Sequence, residues 1–372
     1  MEFYQIVGLV FAVVAVISAG VLGWEWKTTN SLSVEKLPLS NKLILLSRLM
    51  IGGLFIYSGF VKANDYIGFG YKLEEYFMTF AKDWEWSAWF WNVWEPIAPE
   101  LAWFISVFEI ALGVAVMVGF MMNLTTWLSL LMMGFFTILT AYSAVTGAVT
   151  DCGCFGDALK IEPFESFIKD VILTVMLLPL FFVRKSIRPV PSGKIAGALT
   201  AGAFLLSGIY GYWCHEHLPA VDYRAYKVGV NLAYCTETIP PGEDFPKCKD
   251  WGPGFMGDYE PDFFSGTKMM VVAYDLDKAD AEGMSALQSL AKRYERTGAE
   301  PVLLTASLTD AATQAAETYG LELLIGFMDG TALKTIVRSN PGYVLLDEGV
   351  IKGKWHHHDA PDSDEVRTAL DQ

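Results

Sequence analysis

The sequence is poor in cysteine and in positive charge, and both shortages restrict what the protein can be. Five cysteines in 372 residues are too few for a disulfide-dense secreted scaffold. The 27 lysines and arginines are outnumbered by 42 acidic side chains, giving a net charge of −15 that is unsuited to holding a nucleic-acid backbone. The chain also contains no internal repeat or low-complexity tract. We therefore expect no nucleic-acid partner.

Apolar residues are abundant, at 53% of the chain, and aromatic residues make up 14%. Six apolar runs are close to or above the length that a membrane-spanning helix requires: residues 4–23, 43–61, 101–122, 124–150, 167–183 and 195–213. The first run lacks a basic segment before it and is long, which favours a retained anchor over a cleaved signal peptide. The fold class predicted for this part is an α-helical membrane protein with six spans, in contact with the lipid bilayer.

The positive charges of short loops predict the orientation. Lysine and arginine concentrate in residues 24–42 and 184–194, and such loops remain cytoplasmic. Residues 150–166 and everything after residue 213 then lie outside the cytoplasm. Residues 214–372 carry a net charge of −12, as expected of a solvated domain. The predicted location is the inner membrane, with the C-terminal domain on the periplasmic side.

Five tryptophans cluster in residues 84–94, within the outer segment 62–100. Tryptophan is enriched where a membrane meets water, so an interfacial belt is the favoured interpretation. A hydrophobic lid over a ligand pocket is the alternative.

The last hundred residues show the pattern of a small α/β domain. Apolar runs predict strands at 269–274, 302–306, 321–326, 342–346 and 350–355, and helices at 281–296, 310–319, 331–337 and 362–370. This order, with Asn340-Pro341 before a hairpin, resembles a thioredoxin-like fold, in which that proline is cis and faces a redox dithiol. Residues 275–278 occupy the dithiol position and no cysteine follows Cys248, so we expect a docking or structural module.

Cys235 and Cys248 flank a stretch rich in proline and glycine. Outside the cytoplasm two such cysteines usually pair, and closing the loop would contribute about 3 kcal/mol. A structural disulfide and a redox relay both remain open for this pair.

The strongest local motif is Cys152-Gly153-Cys154, in the predicted outer loop between the fourth and fifth spans. Two cysteines separated by one glycine close a small strained ring, and strain makes a disulfide easier to reduce. Thiol–disulfide exchange is therefore the favoured role for Cys152 and Cys154. Two of four zinc ligands, or two inert buried thiols, are the alternatives.

The five histidines do not predict a metal site. His356, His357 and His358 are adjacent, and side chains in a strand point alternately to opposite faces, so we expect surface imidazoles that cannot share one ion. His215 and His217 follow the sixth span and are expected at the membrane interface.

Ionisable side chains inside or beside the spans indicate a polar intramembrane site, because each is costly there unless it is paired or hydrated. Glu109 is the deepest acid, and Lys62, Arg48 and Lys169 are its candidate partners. A structural ion pair is the alternative to a functional one. The predicted set is completed by Asp170 and by Glu165, near the outer end.

Residues 48–62 (RLMIGGLFIYSGFVK), 70–76 (GYKLEEY), the CGCFGD loop and 165–170 (ESFIKD) resemble the DoxX and MauE membrane-protein family. The resemblance covers about residues 40–185 and implies a four-helix membrane core. For DoxX-like proteins it implies association with membrane oxidoreductases and with thiosulfate or quinone chemistry, and for MauE maturation of a disulfide-rich periplasmic subunit. In having an added span and a thioredoxin-like tail, the chain resembles the DoxX proteins of the Bacteroidota.

The predicted organisation has five parts: an anchor helix and linker (1–39), a DoxX/MauE-like membrane domain (40–190), a sixth span (191–214), a Cys-containing linker (215–265) and a thioredoxin-like domain without CxxC (266–372). The predicted function is extracytoplasmic thiol–disulfide or electron transfer, with quinone as a candidate acceptor and an extracytoplasmic protein as partner. The first alternative is a non-enzymatic assembly factor or complex subunit that recruits a partner through its tail. A small-molecule carrier ranks third, because no inverted repeat is evident.

Overall fold

The computed structural model describes residues 39–149, 153, 155–159, 161–190, 192–232 and 261–371. The chain divides into two compact units between Tyr212 and Trp213. The predicted first span, residues 4–23, lies outside the described residues, as do Cys152, Cys154, Cys235 and Cys248.

The first unit is helical. Its helices are α1 (Leu39–Asn64), α2 (Tyr66–Asp83), α3 (Ala88–Trp94), α4 (Ala98–Val118), α5 (Met122–Thr146), α6 (Pro163–Val183) and α7 (Gly193–Glu216). Five helical stretches within the described ranges are long and apolar enough to cross a membrane: Ile44–Asn64, Glu85–Val118, Met122–Thr146, Pro163–Val183 and Gly193–Glu216. These correspond to the second to sixth predicted spans, so the structure confirms a multi-pass architecture.

Helices α1 and α4 pack closely because glycines face each other along their contact. A Cβ atom on Gly52 would lie 2.6 Å from the carbonyl oxygen of Gly113, and one on Gly113 would lie 2.7 Å from that of Gly52. Two turns of helix further along, a Cβ on Gly59 would lie 2.8 Å from the carbonyl oxygen of Ser106. Small residues permit this close approach of backbones in membrane helices.

Helix α2 is buried in the helical unit, although the sequence assigns it to an outer segment. An apolar stripe along one of its faces belongs to the main core: Phe69, Leu73, Tyr76, Phe77 and Phe80. The Tyr76 hydroxyl is 2.6 Å from the Ser143 hydroxyl of α5. The following short helices differ, since Trp86 and Trp89 are exposed. For these tryptophans the interfacial belt stays a prediction.

The second unit contains a five-stranded mixed sheet in the order β3-β2-β1-β4-β5. Its strands are β1 (Thr267–Val272), β2 (Glu300–Thr305), β3 (Leu324–Phe327), β4 (Gly342–Asp347) and β5 (Val350–His356), and its helices are α8 (Ala281–Glu295), α9 (Thr309–Tyr319), α10 (Gly330–Ile336) and α11 (Ser363–Leu370). Strands β1, β2 and β3 run parallel, whereas β4 is antiparallel to β1 and to β5. The α/β architecture matches the pattern read from the sequence. The Asn340–Pro341 peptide bond is cis.

Part of the predicted linker packs on this sheet. The Ile351 amide donates to the Val230 carbonyl at 2.9 Å, and the Leu232 amide donates to the Gly349 carbonyl at 2.7 Å. Tyr226 and Leu232 are buried in one of the cores of the sheet unit. Residues 226–232 are therefore a structural part of the sheet unit.

A charge cluster attaches the residues just before this segment to β5. Asp222 accepts from Lys354 Nζ at 2.6 Å and from Arg224 Nε at 2.9 Å. Burial alone would raise the pKa of Asp222, but the two cations outweigh it and lower the pKa to about 2. Burial, together with the adjacent Arg224, lowers the pKa of Lys354 to about 7 despite the attraction of Asp222.

Candidate functional site

The centre of the candidate site is an ion pair buried between α1 and α4. Lys62 Nζ donates to Glu109 Oε2 at 2.6 Å, and the two side chains are 1% and 4% exposed. Lys62 also donates to the Ser58 hydroxyl at 2.7 Å, one turn earlier on α1. Its ammonium lies 4.6 Å from the centre of the Phe136 ring. Glycine packing of α1 against α4 brings these side chains together, and among the predicted candidates Lys62 is the partner of Glu109.

A second pair lies on α6. Lys169 Nζ is 3.0 Å from Asp170 Oδ1, and the Asp170 side chain is buried while that of Lys169 is partly exposed. The hydroxyl of Thr140 on α5 donates to Asp170 Oδ2 at 3.1 Å. Asp170 therefore joins α5 to α6 through a polar contact inside the helical unit.

Both pairs line one cavity. Its walls come from α1, α4, α5, α6 and the loop before α6, and include Ser58, Met133 and Phe136 besides the four charged residues. The cavity measures about 20 Å³, which is enough for a water molecule. It is far smaller than the pockets of several hundred cubic ångströms that hold organic ligands. The arrangement can keep two ion pairs and a water molecule that carries protons between them inside an otherwise apolar core.

The loop with the two cysteines packs at this cavity through its described residues. Phe155 lines the cavity, is buried, and has the Lys169 ammonium 4.8 Å from its ring centre. Gly153 has a φ of +66°, a left-handed conformation that glycine adopts easily. A Cβ on Gly153 would lie 3.4 Å from the side chains of Phe69 and Lys72 on α2. Phe155 therefore lies at the charged cavity, and Gly153 packs on α2.

Two residues of the predicted polar set lie elsewhere. Arg48 donates to the carbonyl oxygens of Val116 at 3.0 Å and Met117 at 2.6 Å, in the last turn of α4. This contact satisfies carbonyls that have no partner within the helix, which is a capping role. Glu165 is exposed in the first turn of α6. The predicted grouping of Arg48 and Glu165 with the other four residues is therefore corrected.

The prediction for the histidine run was wrong in its geometry. Strand β5 ends at His356, and His357–Asp359 form a tight 3₁₀ turn, so side-chain alternation stops there. The three rings come together, and His356 is 5% exposed and not a surface imidazole.

Three further residues complete the candidate site: Ser58, Phe136 and Thr140. Ser58 could have been found from its position four residues before Lys62, on the same helical face. Thr140 and Phe136 carry no such signal, because their roles depend on how α5 packs on α6 and α1.

These helices define a multi-pass membrane protein. Residues 40–183 match the family model described as Methylamine utilisation protein MauE, so this region is MauE-like. The match includes Lys62, Glu109, Lys169, Asp170 and the cysteine loop. No curated protein and no solved structure matched the chain.

Proposed function

We propose that this protein is a membrane thiol–disulfide oxidoreductase in which Cys152 and Cys154 exchange electrons with an extracytoplasmic protein. The observation that carries the proposal is the position of Phe155, the residue after Cys154, in the wall of a cavity that is lined by two ion pairs. Ionisable side chains inside a membrane domain are costly unless they are paired or hydrated, and for that reason they mark a functional site by default. The MauE-like match over the same residues supports this choice, since the resemblance implies disulfide maturation.

The exchange involves two electrons. A thiolate of the partner attacks one sulfur of the Cys152–Cys154 disulfide and forms a mixed disulfide, which the partner's second thiolate resolves. The partner becomes a disulfide, the two loop cysteines become thiols, and the two protons lost by the partner are taken up by these thiols. Reoxidation then passes two electrons and two protons from the dithiol to a quinone, giving quinol.

The charged cavity has a proton-handling role in this scheme. Glu109 and Asp170 are buried carboxylates beside the loop, and each has a cation within 3.0 Å. They can accept protons that leave the thiols during reoxidation, with the cavity water as carrier. The cavity is too small for a quinone ring, so the quinone of this proposal binds at the lipid-facing surface and not among the ion pairs.

The sheet unit serves as the partner-docking module in this proposal. We assign it a thioredoxin-like fold, on the outer side of the membrane, without thiol chemistry of its own. Cys235 and Cys248 are either a structural disulfide or a relay between the loop and the partner.

The experiment that tests the proposal is thiol trapping in intact cells, with mass spectrometry of each cysteine. We expect Cys152 and Cys154 to be oxidised in growing cells and to accumulate as thiols when quinone synthesis is blocked. One of the variants Cys152→Ser and Cys154→Ser should trap a mixed disulfide with the oxidised partner, because the remaining loop thiol can attack the partner's disulfide while the second loop cysteine, which would release the partner as a dithiol, is missing. Cys214→Ala, a buried cysteine of α7, is the matched control and should trap none.

A second candidate is the non-enzymatic assembly factor, favoured by the absence of cysteine after Cys248 in a domain with a mixed α/β sheet. Permanently reduced loop cysteines, together with normal function of the double serine variant, would reject the redox proposal. That result would favour a protein that recruits its partner without electron transfer.

A further inference from the structure

All five histidines of the chain belong to the second unit. His215 and His217 lie at the end of α7, and the other three follow β5. The two groups are in contact, because His217 Nδ1 lies 2.7 Å from Asp359 Oδ2 and His358 Nδ1 lies 2.9 Å from the carbonyl oxygen of Glu216. The chain has no other histidine, so this grouping is not the result of a generally histidine-rich surface.

The histidine triad, defined as His356, His357 and His358, has metal-ligand geometry. The ring centres are 4.2, 4.8 and 4.1 Å apart. One ring nitrogen from each histidine lies within 4.8 Å of the other two. In a tetrahedral zinc site with Zn–N bonds of about 2.0–2.1 Å, ligand nitrogens are about 3.3 Å apart. Side-chain rotations that shorten the distances between these nitrogens by about 1.5 Å at most would close the triad around an ion.

Hydrogen bonds direct the lone pair of His357 to its Nε2 atom. The Ser339 hydroxyl donates its single proton to the carbonyl of Pro341, so it can only accept from His357 Nδ1, 3.0 Å away. In the neutral ring Nε2 is then unprotonated. This atom is buried and has no hydrogen-bond partner, and the Asp280 carboxylate is 3.6 Å from it.

His358 is oriented in the same way. Its Nδ1 lies 2.9 Å from the backbone carbonyl oxygen of Glu216, which can only accept a proton. Nδ1 therefore carries the hydrogen, and Nε2 is available as a ligand. A ligating histidine commonly donates its other ring N–H to a carbonyl or carboxylate in this manner.

We propose that His356, His357 and His358 bind one divalent transition-metal ion of the Zn²⁺ and Cu²⁺ class, with Asp280 as the adjacent anion. Imidazole nitrogen is a preferred ligand of these ions, whereas Ca²⁺ and Mg²⁺ prefer oxygen.

The site lies at the end of the sheet where strand β1 finishes. Val272, the last residue of β1, pairs with Gly342, which in turn pairs with His356. The segment 275–278, where the thioredoxin-like resemblance would require a dithiol, leaves the sheet at this same edge. The edge without cysteine thus has an alternative set of metal-binding side chains.

Metal titration of the full-length protein in detergent, purified without a polyhistidine tag, tests the proposal. We expect one Zn²⁺ or Cu²⁺ per chain by calorimetry, no binding of Mg²⁺ or Ca²⁺, and a visible absorption band with Co²⁺ that reports tetrahedral nitrogen coordination. His357→Asn and His358→Asn should each weaken binding more than 100-fold. The effect should exceed the 10–100-fold typical of residues that only orient a ligand.

His217→Asn is the matched control. His217 pairs with Asp359 at 2.7 Å, outside the triad, so its loss should change affinity less than about threefold. The His358 side chain is 45% exposed, so its substitution should leave the unit folded; circular dichroism checks this for each variant. Absence of saturable binding, or equal loss in His217→Asn and in the triad variants, would overturn the proposal.

Discussion

Removing the charge of Glu109 isolates the energetic role of the buried ion pair. Glu109→Gln keeps the shape of the side chain but leaves the Lys62 ammonium, which is 1% exposed, without a carboxylate. Lys62 would retain Ser58 at 2.7 Å and the Phe136 ring, neither of which carries a charge. An ammonium in this position has no access to bulk water.

The magnitude follows from the burial of both partners. Breaking a buried ion pair by removing one partner costs about 3–5 kcal/mol, because the remaining charge is uncompensated. For a domain of about 150–250 residues, each kcal/mol lowers the melting temperature by roughly 2–4 °C. We therefore expect Glu109→Gln to melt about 6–20 °C below the wild type.

Thermal unfolding of the purified protein in detergent, followed by circular dichroism, measures this shift. The double variant Lys62→Met with Glu109→Gln contains neither charge and should melt above the less stable single variant. Glu165→Gln, an exposed acid on α6, is the control and should change stability by less than about 0.5 kcal/mol. A Glu109→Gln variant that melts within about 2 °C of the wild type would refute the reasoning. Strict additivity in the double variant would also refute it.

Two further predictions concern packing and a second charge cluster. Gly113→Leu should separate α4 from α1 and destabilise the helical unit by about 1–3 kcal/mol or more, measured by the same melting assay. Gly134→Leu, where a Cβ meets nothing within 4 Å, should be tolerated. Asp222→Asn leaves Arg224 and Lys354 buried without their carboxylate and should destabilise the sheet unit by about 3–5 kcal/mol at neutral pH. Because the folded-state pKa of Asp222 is about 2, below its ordinary 3.8, the wild-type advantage should be complete above about pH 5, and about 2 kcal/mol of it should be lost as the pH falls through 2; a constant difference between pH 2 and pH 5 would contradict this.

The spans and strands could be predicted because each depends on a local pattern. Lipid requires long uncharged helices, and a central strand requires a short apolar run, so both are visible without knowledge of the partners. Helix α2 was assigned to the outer segment because it is interrupted by charges. Its apolar residues nevertheless recur at helical spacing, from Phe69 to Phe80, and that periodicity was the available signal for burial.

The pairing of the charged residues could not be predicted in the same way. Arg48 and Lys62 are two cations of the same apolar helix, and Glu109 is 47 positions beyond Lys62. Their roles differ because the last carbonyls of α4 lie beside Arg48, whereas Glu109 faces Lys62 inside the helical unit. Only the crossing of α1 and α4 at Gly52 and Gly113 determines which cation meets the acid.

The histidine run failed for a different reason, since the alternation rule holds only as long as the strand continues. Strand β5 ends at His356, and in the turn that follows the side chains converge instead of alternating.

All five cysteines precede the sheet, whereas the triad lies at the end of strand β5, so thiol chemistry and metal chemistry are assigned to different parts of the chain. The two proposals can therefore be tested separately: serine variants of Cys152 and Cys154 should leave metal binding unchanged, and triad variants should leave the redox cycling of the loop cysteines unchanged. Loss of loop cycling in a triad variant that remains folded would contradict this separation.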